Sequence, residues 1–119
     1  MNKSVMLLTT RIALKPEFFN ELLITNKKLN NTYKLYPGFK SSNIFIKNEQ
    51  ICRNPSQIGD LVRTSLQNYS ILNISHWEDY QFAKNWLDCP QKFYIERDNI
   101  NKLYSEYMEI FENSDNNKI

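Results

Sequence analysis

The chain has 119 residues, of which 41% are hydrophobic and 13% aromatic, a composition that suits one globular domain with its own core. Fifteen basic and thirteen acidic residues give a net charge of +2, which argues against a nucleic-acid or anionic-membrane partner. One histidine and two separated cysteines argue against a transition-metal centre or a disulfide framework, and they favour a cytoplasmic location.

The first predicted element is a strand over Val5 to Leu14, because this segment is rich in apolar and β-branched residues. The same stretch is too polar for a signal peptide or a membrane span. Alternation divides the strand into two faces, one with Met6, Leu8, Thr10 and Ile12 and the other with Val5, Leu7, Thr9 and Arg11.

A helix and a second strand are predicted next. Pro16 suits a first helical turn, and an apolar stripe from Phe18 to Tyr33 continues the helix to about Tyr36. Pro37-Gly38 ends it, since proline cannot continue a helix and glycine tolerates a left-handed turn. Residues 39–47, FKSSNIFIK, predict the second strand.

A long connection over residues 48–68 follows the second strand. Within it, Ile58, Leu61, Val62 and Leu66 fit a short amphipathic helix after Pro55. Connections of this length in small domains are either surface insertions or flaps over a binding site, and the sequence leaves both possibilities open.

Residues 69–77, YSILNISHW, predict the third strand, in which Asn73 and Trp77 share one face and His76 lies on the other. Glu78 and Asp79 suit the start of a helix, where carboxylates meet the positive end of the helix dipole. Its apolar side carries Phe82, Trp86 and Leu87. Pro90 breaks that helix, and a further helical piece is expected over residues 91–102.

The last element, over residues 103–111, fits either a helix or a strand, and periodicity alone does not decide. Residues 113–119 are polar and are expected to be a disordered tail. If the last element is a strand, residues 1–112 form an α+β domain with the split βαβ, ferredoxin-like order, in which helices cover one face of an antiparallel sheet. Both faces of that sheet are apolar, so a homodimer is predicted to cover the second one.

Three features together resemble the antibiotic biosynthesis monooxygenase (ABM) domain family: the order of elements, the Tyr36-Pro37-Gly38-Phe39 turn and the strand-to-helix junction at Trp77-Glu78. The resemblance covers Val5 to about Phe111. It implies a dimeric α+β barrel and favours a strand as the last element. Members with very different activities share these features, so the resemblance is more specific for the fold than for a reaction.

One branch of the family oxidises aromatic substrates without metal or flavin and uses an asparagine four residues before the strand-end tryptophan. Asn73 and Trp77 have that spacing, so the resemblance implies that they are catalytic, that no cofactor is needed and that the substrate is a small hydrophobic aromatic or quinone-like molecule. The residues expected to bind the substrate are Trp86, Phe82, Phe39, Thr10 and Tyr80. Tyr80 lies near, but not at, the position of a helix tyrosine of this branch.

The haem-degrading branch fits less well. Trp86 matches its helix tryptophan, but Thr10 replaces a strand asparagine and Glu96 lies near the position of the axial histidine. His76 is on a strand, so no imidazole is placed to bind iron, and haem degradation is disfavoured.

Structural roles compete with each functional one. Trp77 and Trp86 also suit a core, Asn73 could satisfy a backbone group, and Arg11 could pair with a carboxylate such as Glu109. A non-catalytic small-ligand-binding protein of the same fold is therefore the main alternative. An RNA-recognition domain ranks last, because it needs exposed aromatic residues within a basic face and this chain is close to charge balance.

Overall fold

The computed structural model describes residues 3–48, 69–97 and 104–113. Its strands are β1 (Val5–Ala13), β2 (Phe39–Ile46), β3 (Ser70–Trp77) and β4 (Tyr104–Glu112), and its α-helices are α1 (Phe19–Tyr33), α2 (Tyr80–Leu87) and α3 (Pro90–Glu96). A short 3-10 turn over Pro16–Phe18 leads into α1. The helix predicted within residues 48–68 and the tail beyond Asn113 lie outside the described residues.

The four strands form one antiparallel sheet in the order β2-β3-β1-β4. The prediction of an α+β, ferredoxin-like fold is confirmed, with the sheet open at β2 and β4 rather than closed on itself. The ambiguous last element is a strand, because it pairs with the free edge of β1 from Val5 opposite Glu112 to Ala13 opposite Tyr104. Within the described part of the chain, no helix has the length and apolarity needed to cross a bilayer.

Burial alternates along the two central strands as the sequence pattern predicts. In β1 the buried residues are Val5, Leu7, Thr9, Arg11 and Ala13, and in β3 they include Ile71, Asn73, Ser75 and Trp77. These side chains face the helices, where Leu22, Leu29 and Trp86 complete the core. The layer between sheet and helices therefore contains polar residues as well as apolar ones.

The side of the sheet that points away from the helices is called the open face. Its residues are only partly buried or exposed. The apolar ones are Met6, Leu8, Ile12, Phe45, Leu72, Ile74, Tyr107 and Phe111, and the polar ones include Thr10, Asn43, His76 and Glu109. Phe45, Tyr107 and Phe111 are each about half exposed. A contiguous apolar face of this kind is uncommon on a monomeric protein.

The turn between α1 and β2 depends on Gly38. Its φ of +81° lies in the left-handed region, which a residue with a β-carbon rarely adopts. Its carbonyl accepts a hydrogen bond of 2.8 Å from the backbone N–H of Glu78. The ring of Phe82 lies directly against the glycine, so that an added β-carbon would overlap with Phe82 Cγ and Cβ.

We expect Gly38→Ala to lower the free energy of unfolding by about 2–4 kcal/mol, since backbone strain and overpacking against Phe82 act together. Urea unfolding checks this, with Lys40→Ala as the control because Lys40 is exposed two residues further on. Equal midpoints for the two variants would show that the turn relaxes around the added methyl group.

Candidate functional site

The polar centre of the layer between sheet and helices is a hydrogen bond between Asn73 and Tyr33. Asn73 lies at the middle of β3 and Tyr33 is the last residue of α1. The Tyr33 hydroxyl donates to Asn73 Oδ1 at 2.7 Å. Burial raises the pKa of Tyr33, and hydrogen bonds with Ser42 and Asn73 only partly offset this. The phenol therefore stays protonated and fixes the orientation of the Asn73 amide.

Aromatic rings surround this pair. Tyr33 stacks on Phe39 with ring centroids 5.2 Å apart and meets Trp77 and Trp86 edge-on at 6.0 and 5.3 Å. Phe39 and Trp77 also contact each other at 5.6 Å. We call Tyr33, Phe39, Trp77 and Trp86 the aromatic cage. It excludes water from the Asn73 amide, and a dry site strengthens any hydrogen bond made there.

The predicted donor on Trp77 is already in use. The indole N–H donates to Ser75 Oγ at 2.8 Å, and both residues are fully buried. In this state Trp77 acts as a wall of the cage, and its N–H reaches a substrate only if the bond to Ser75 breaks.

The structure brings Asn73, Trp77, Trp86 and Phe39 together, with Phe82 at the margin of the same cluster. It does not bring Thr10 there. Since side chains alternate along a strand, Thr10 lies on the open face, where it lines a pocket of about 260 Å³ with Phe45 and Leu72. The expectation that Thr10 shares a site with Asn73 is therefore corrected by the structure.

Tyr80 is also outside the cage. It is the first residue of α2, immediately after the Asp79 cap, and its side chain is half exposed. His76 lies on the open face, as its position in the strand predicts.

Tyr33 is a functional candidate that the sequence does not single out, because it lies within the apolar stripe of α1. A tyrosine at the end of a buried stripe carries a hydroxyl that must find a partner inside the protein. That requirement was the available signal, but the sequence did not show which buried polar group would meet it.

A second set of polar residues lies beside the Asn73–Tyr33 pair, and Arg11 is at its centre. The Arg11 guanidinium donates to Glu106 Oε2 through Nε at 2.7 Å and to Asn26 Oδ1 through Nη1 at 2.8 Å. Its Nη2 lies 3.7 Å from Glu96 Oε2. The expected strand carboxylate was Glu109, but the register places Glu106 opposite Arg11 and puts Glu109 on the open face.

Lys92 and Tyr104 complete this group. The Lys92 ammonium contacts Glu96 Oε1 directly and lies 3.7 Å from Glu106 Oε1, while the Tyr104 hydroxyl donates to Glu96 Oε2 at 2.9 Å. We call Arg11, Asn26, Lys92, Glu96, Tyr104 and Glu106 the ionic cluster. Its two cations and two carboxyl groups balance when both carboxyl groups are ionised.

The pKa values of the two carboxyl groups of the ionic cluster are shifted in opposite directions. Burial raises the pKa of Glu106, and the hydrogen bond with Glu96 raises it further, more than Arg11 lowers it. Burial would also raise the pKa of Glu96, but Glu106, Arg11 and Lys92 together hold it below its ordinary value. A proton taken up by this pair is therefore favoured on Glu106. Among the described residues, no group of three or more histidine, cysteine, aspartate or glutamate side chains is arranged to hold a metal ion.

Solved structures show where this arrangement of elements has been seen before. A conserved protein of unknown function from Bacteroides thetaiotaomicron matches with a TM-score of 0.71 and 11% identity, over 95% of this chain and 100% of that one. SnoaB from Streptomyces nogalater, a cofactor-independent oxygenase solved as an asparagine-to-alanine variant, matches with a TM-score of 0.67 and 12% identity, over 92% of this chain and 91% of that one. An antibiotic biosynthesis monooxygenase matches with a TM-score of 0.61 and 12% identity, over 89% and 95%.

The chain has the fold of the antibiotic biosynthesis monooxygenases. The resemblance drawn from the sequence is thereby confirmed at the level of structure. No family model and no curated protein matches the sequence. Identities of 11–12% establish the monooxygenase fold alone, so the reaction has to be argued from the site.

Proposed function

We propose that this protein is a cofactor-independent monooxygenase that acts on a small hydrophobic aromatic or quinone-like substrate at the Asn73–Tyr33 pair. The observation that supports this most strongly is a buried amide–phenol hydrogen bond of 2.7 Å enclosed by an aromatic cage. An apolar, aromatic wall with a single polar centre is the usual composition of a site for a planar organic molecule. The same fold in SnoaB, a cofactor-independent oxygenase, supports the reaction class.

The proposed chemistry takes its electrons from the substrate. A phenol loses its hydroxyl proton, and the electron-rich phenolate reduces O₂ directly. The overall step converts a phenol and O₂ into a quinone and water: one ring C–H bond and one O–H bond break, one oxygen atom becomes the new carbonyl, and the other leaves as water with both hydrogens. No metal or flavin is needed for this balance, in keeping with the expected absence of a cofactor.

Asn73 has the central role in this proposal. The Tyr33 hydroxyl occupies Asn73 Oδ1, so the amide N–H groups are the ones available to a phenolate oxygen. A preorganised donor of this kind lowers a reaction barrier by about 3–4 kcal/mol in oxyanion sites. Trp86, Phe39 and Trp77 would hold the substrate ring, and Phe82 would border it.

The test is oxygen consumption with a panel of dihydroxynaphthalenes, for the wild type, Asn73→Ala and Trp77→Phe. We expect uptake by the wild type and a loss of about 100-fold or more in Asn73→Ala, which is the cost of removing one oxyanion donor. Trp77→Phe keeps the ring and should lose much less, because the indole N–H is bonded to Ser75. Asn20→Ala, on the exposed side of α1, is the matched control.

Unchanged uptake in Asn73→Ala would remove this residue from the mechanism. Binding of several compounds to the wild type without oxygen uptake would instead favour the non-catalytic small-ligand-binding protein.

The proposed assembly is a homodimer in which the open face of one protomer packs on the open face of another. The partly exposed Leu8, Ile74 and Leu72 lie near the centre of this face, and such residues gain most from exclusion of water. Two sheets packed in this way give the dimeric α+β barrel that the sequence resemblance implies.

A further inference from the structure

A substrate cannot reach the proposed site in this structure, because the residues of the site are buried. Asn73 is 4% exposed, Tyr33 2% and Trp77 0%. If the proposed function holds, an element next to the cage must move before a substrate can reach the Asn73 amide. The element that moves should be the one whose closed position costs least to leave.

Helix α3 is unusual because its charged side chains are buried and its aromatic side chains are exposed. Its buried residues are Lys92 and Glu96, whereas Phe93 and Tyr94 are 66% and 62% exposed. Burying charges carries a large desolvation cost, and the attraction within an ion pair does little more than offset it. Ion pairs that hold a helix in place therefore contribute less net stability than apolar packing would. When α3 moves outward, Lys92 and Glu96 regain water.

The seam between α1 and α3 is open to solvent. A groove of about 390 Å³ follows it. It is lined by Asn31 and Thr32 of α1, by Leu35 just after that helix, and by Gln91, Tyr94 and Ile95 of α3. One hydrogen bond, from the Tyr36 hydroxyl to Gln91 Oε1 at 2.6 Å, links the two sides. The Tyr36 ring contacts Trp86 at 5.3 Å. The groove is therefore separated from the aromatic cage by the Tyr36 side chain.

We propose that α3 is a gate, that the ionic cluster holds it closed, and that the groove beside it is the outer binding site for the aromatic substrate. The volume suits a small planar molecule, and the lining combines apolar surface from Leu35, Tyr94 and Ile95 with amide and hydroxyl groups. Outward movement of α3 breaks the contacts of Lys92 and Glu96 with β1 and β4 and opens the path past Tyr36.

The test uses no substrate. The chain's only tryptophans, Trp77 and Trp86, are buried in the cage, so their quenching by acrylamide reports how often it opens. Glu96→Gln removes the carboxylate that Arg11, Lys92 and Tyr104 share. We expect the quenching constant to rise several-fold while urea unfolding of the whole fold remains one cooperative transition. Glu17→Gln, on the exposed turn before α1, should leave quenching unchanged.

Hydrogen exchange of the wild type makes the test independent of any variant. Amides of residues 93–96 should exchange at least about ten-fold faster than those of the buried part of α1, because they open locally. Equal protection of α3 and α1 would overturn the gate, as would unchanged quenching in Glu96→Gln. Quenching that rises in a protein that consumes no oxygen with any phenol would leave the gate standing and remove the proposed reaction.

The groove is tested with 1-naphthol as the probe, followed by its effect on tryptophan fluorescence. Tyr94→Ser should slow association several-fold, whereas Phe93→Ser should not, because Phe93 is equally exposed but lies outside the groove. Equal association rates in the two variants would overturn the outer site.

Discussion

Replacing Arg11 with methionine should lower the free energy of unfolding by about 3–5 kcal/mol, the cost of leaving buried charges without their partner. Arg11 is the only residue that contacts Glu106, Glu96 and Asn26 together among the described contacts. Methionine preserves much of the packing volume, so the loss reports the charge rather than a cavity. The remaining excess of negative charge would lie in a region from which water is excluded.

Urea unfolding of Arg11→Met measures this, with Lys27→Met as the control because Lys27 is exposed on α1. The double variant Arg11→Met/Glu106→Leu removes one charge of each sign and should recover most of the loss. A loss below about 1 kcal/mol in the single variant would show that water or a shared proton already compensates Glu106.

Replacing Ile74 with lysine should convert the proposed homodimer into a folded monomer. Ile74 lies on the open face beside Leu8, on the two central strands. A charge buried at the middle of an apolar interface costs several kcal/mol, and about 4 kcal/mol raises a dissociation constant roughly 1000-fold. The core on the helix side of the sheet is untouched, so the monomer should keep its secondary structure.

Analytical ultracentrifugation compares this variant with the wild type at micromolar concentration. Ile24→Lys is the matched control, since Ile24 is exposed on the outer side of α1. A wild type that sediments as a well-folded monomer, or an Ile24→Lys variant that dissociates as readily as Ile74→Lys, would contradict the assignment of the open face as the interface.

The sequence predicted the fold well because its strands alternate regularly. The two faces of β1 and β3 follow from period two, and this placed Asn73 and Trp77 on the helix side and His76 on the other. The last element was ambiguous on periodicity, since Tyr107 and Phe111 fit both a helix and a strand. The structure resolves it through pairing with β1, a non-local contact that local pattern does not contain.

The candidate site was predicted only in part, for the same reason. Which ring meets which, and which hydroxyl reaches Asn73, depends on how α1 packs across the sheet, so Tyr33 was missed. The partner of Arg11 depends on strand register, and a shift of three residues separates the expected Glu109 from the observed Glu106. The burial of Lys92 and Glu96 reverses the usual location of charged residues and could not be read from composition.

In the proposed reaction, a phenolic oxygen binds the Asn73 amide inside the aromatic cage. The most direct measurement is the side-chain amide signal of Asn73 in ¹⁵N-labelled protein, assigned by its loss in Asn73→Asp and followed while 1-naphthol is added without oxygen. We expect a large, saturable shift of this signal, with the signal of the exposed Asn20 unchanged. Saturable binding of 1-naphthol that leaves the Asn73 amide unshifted would contradict it.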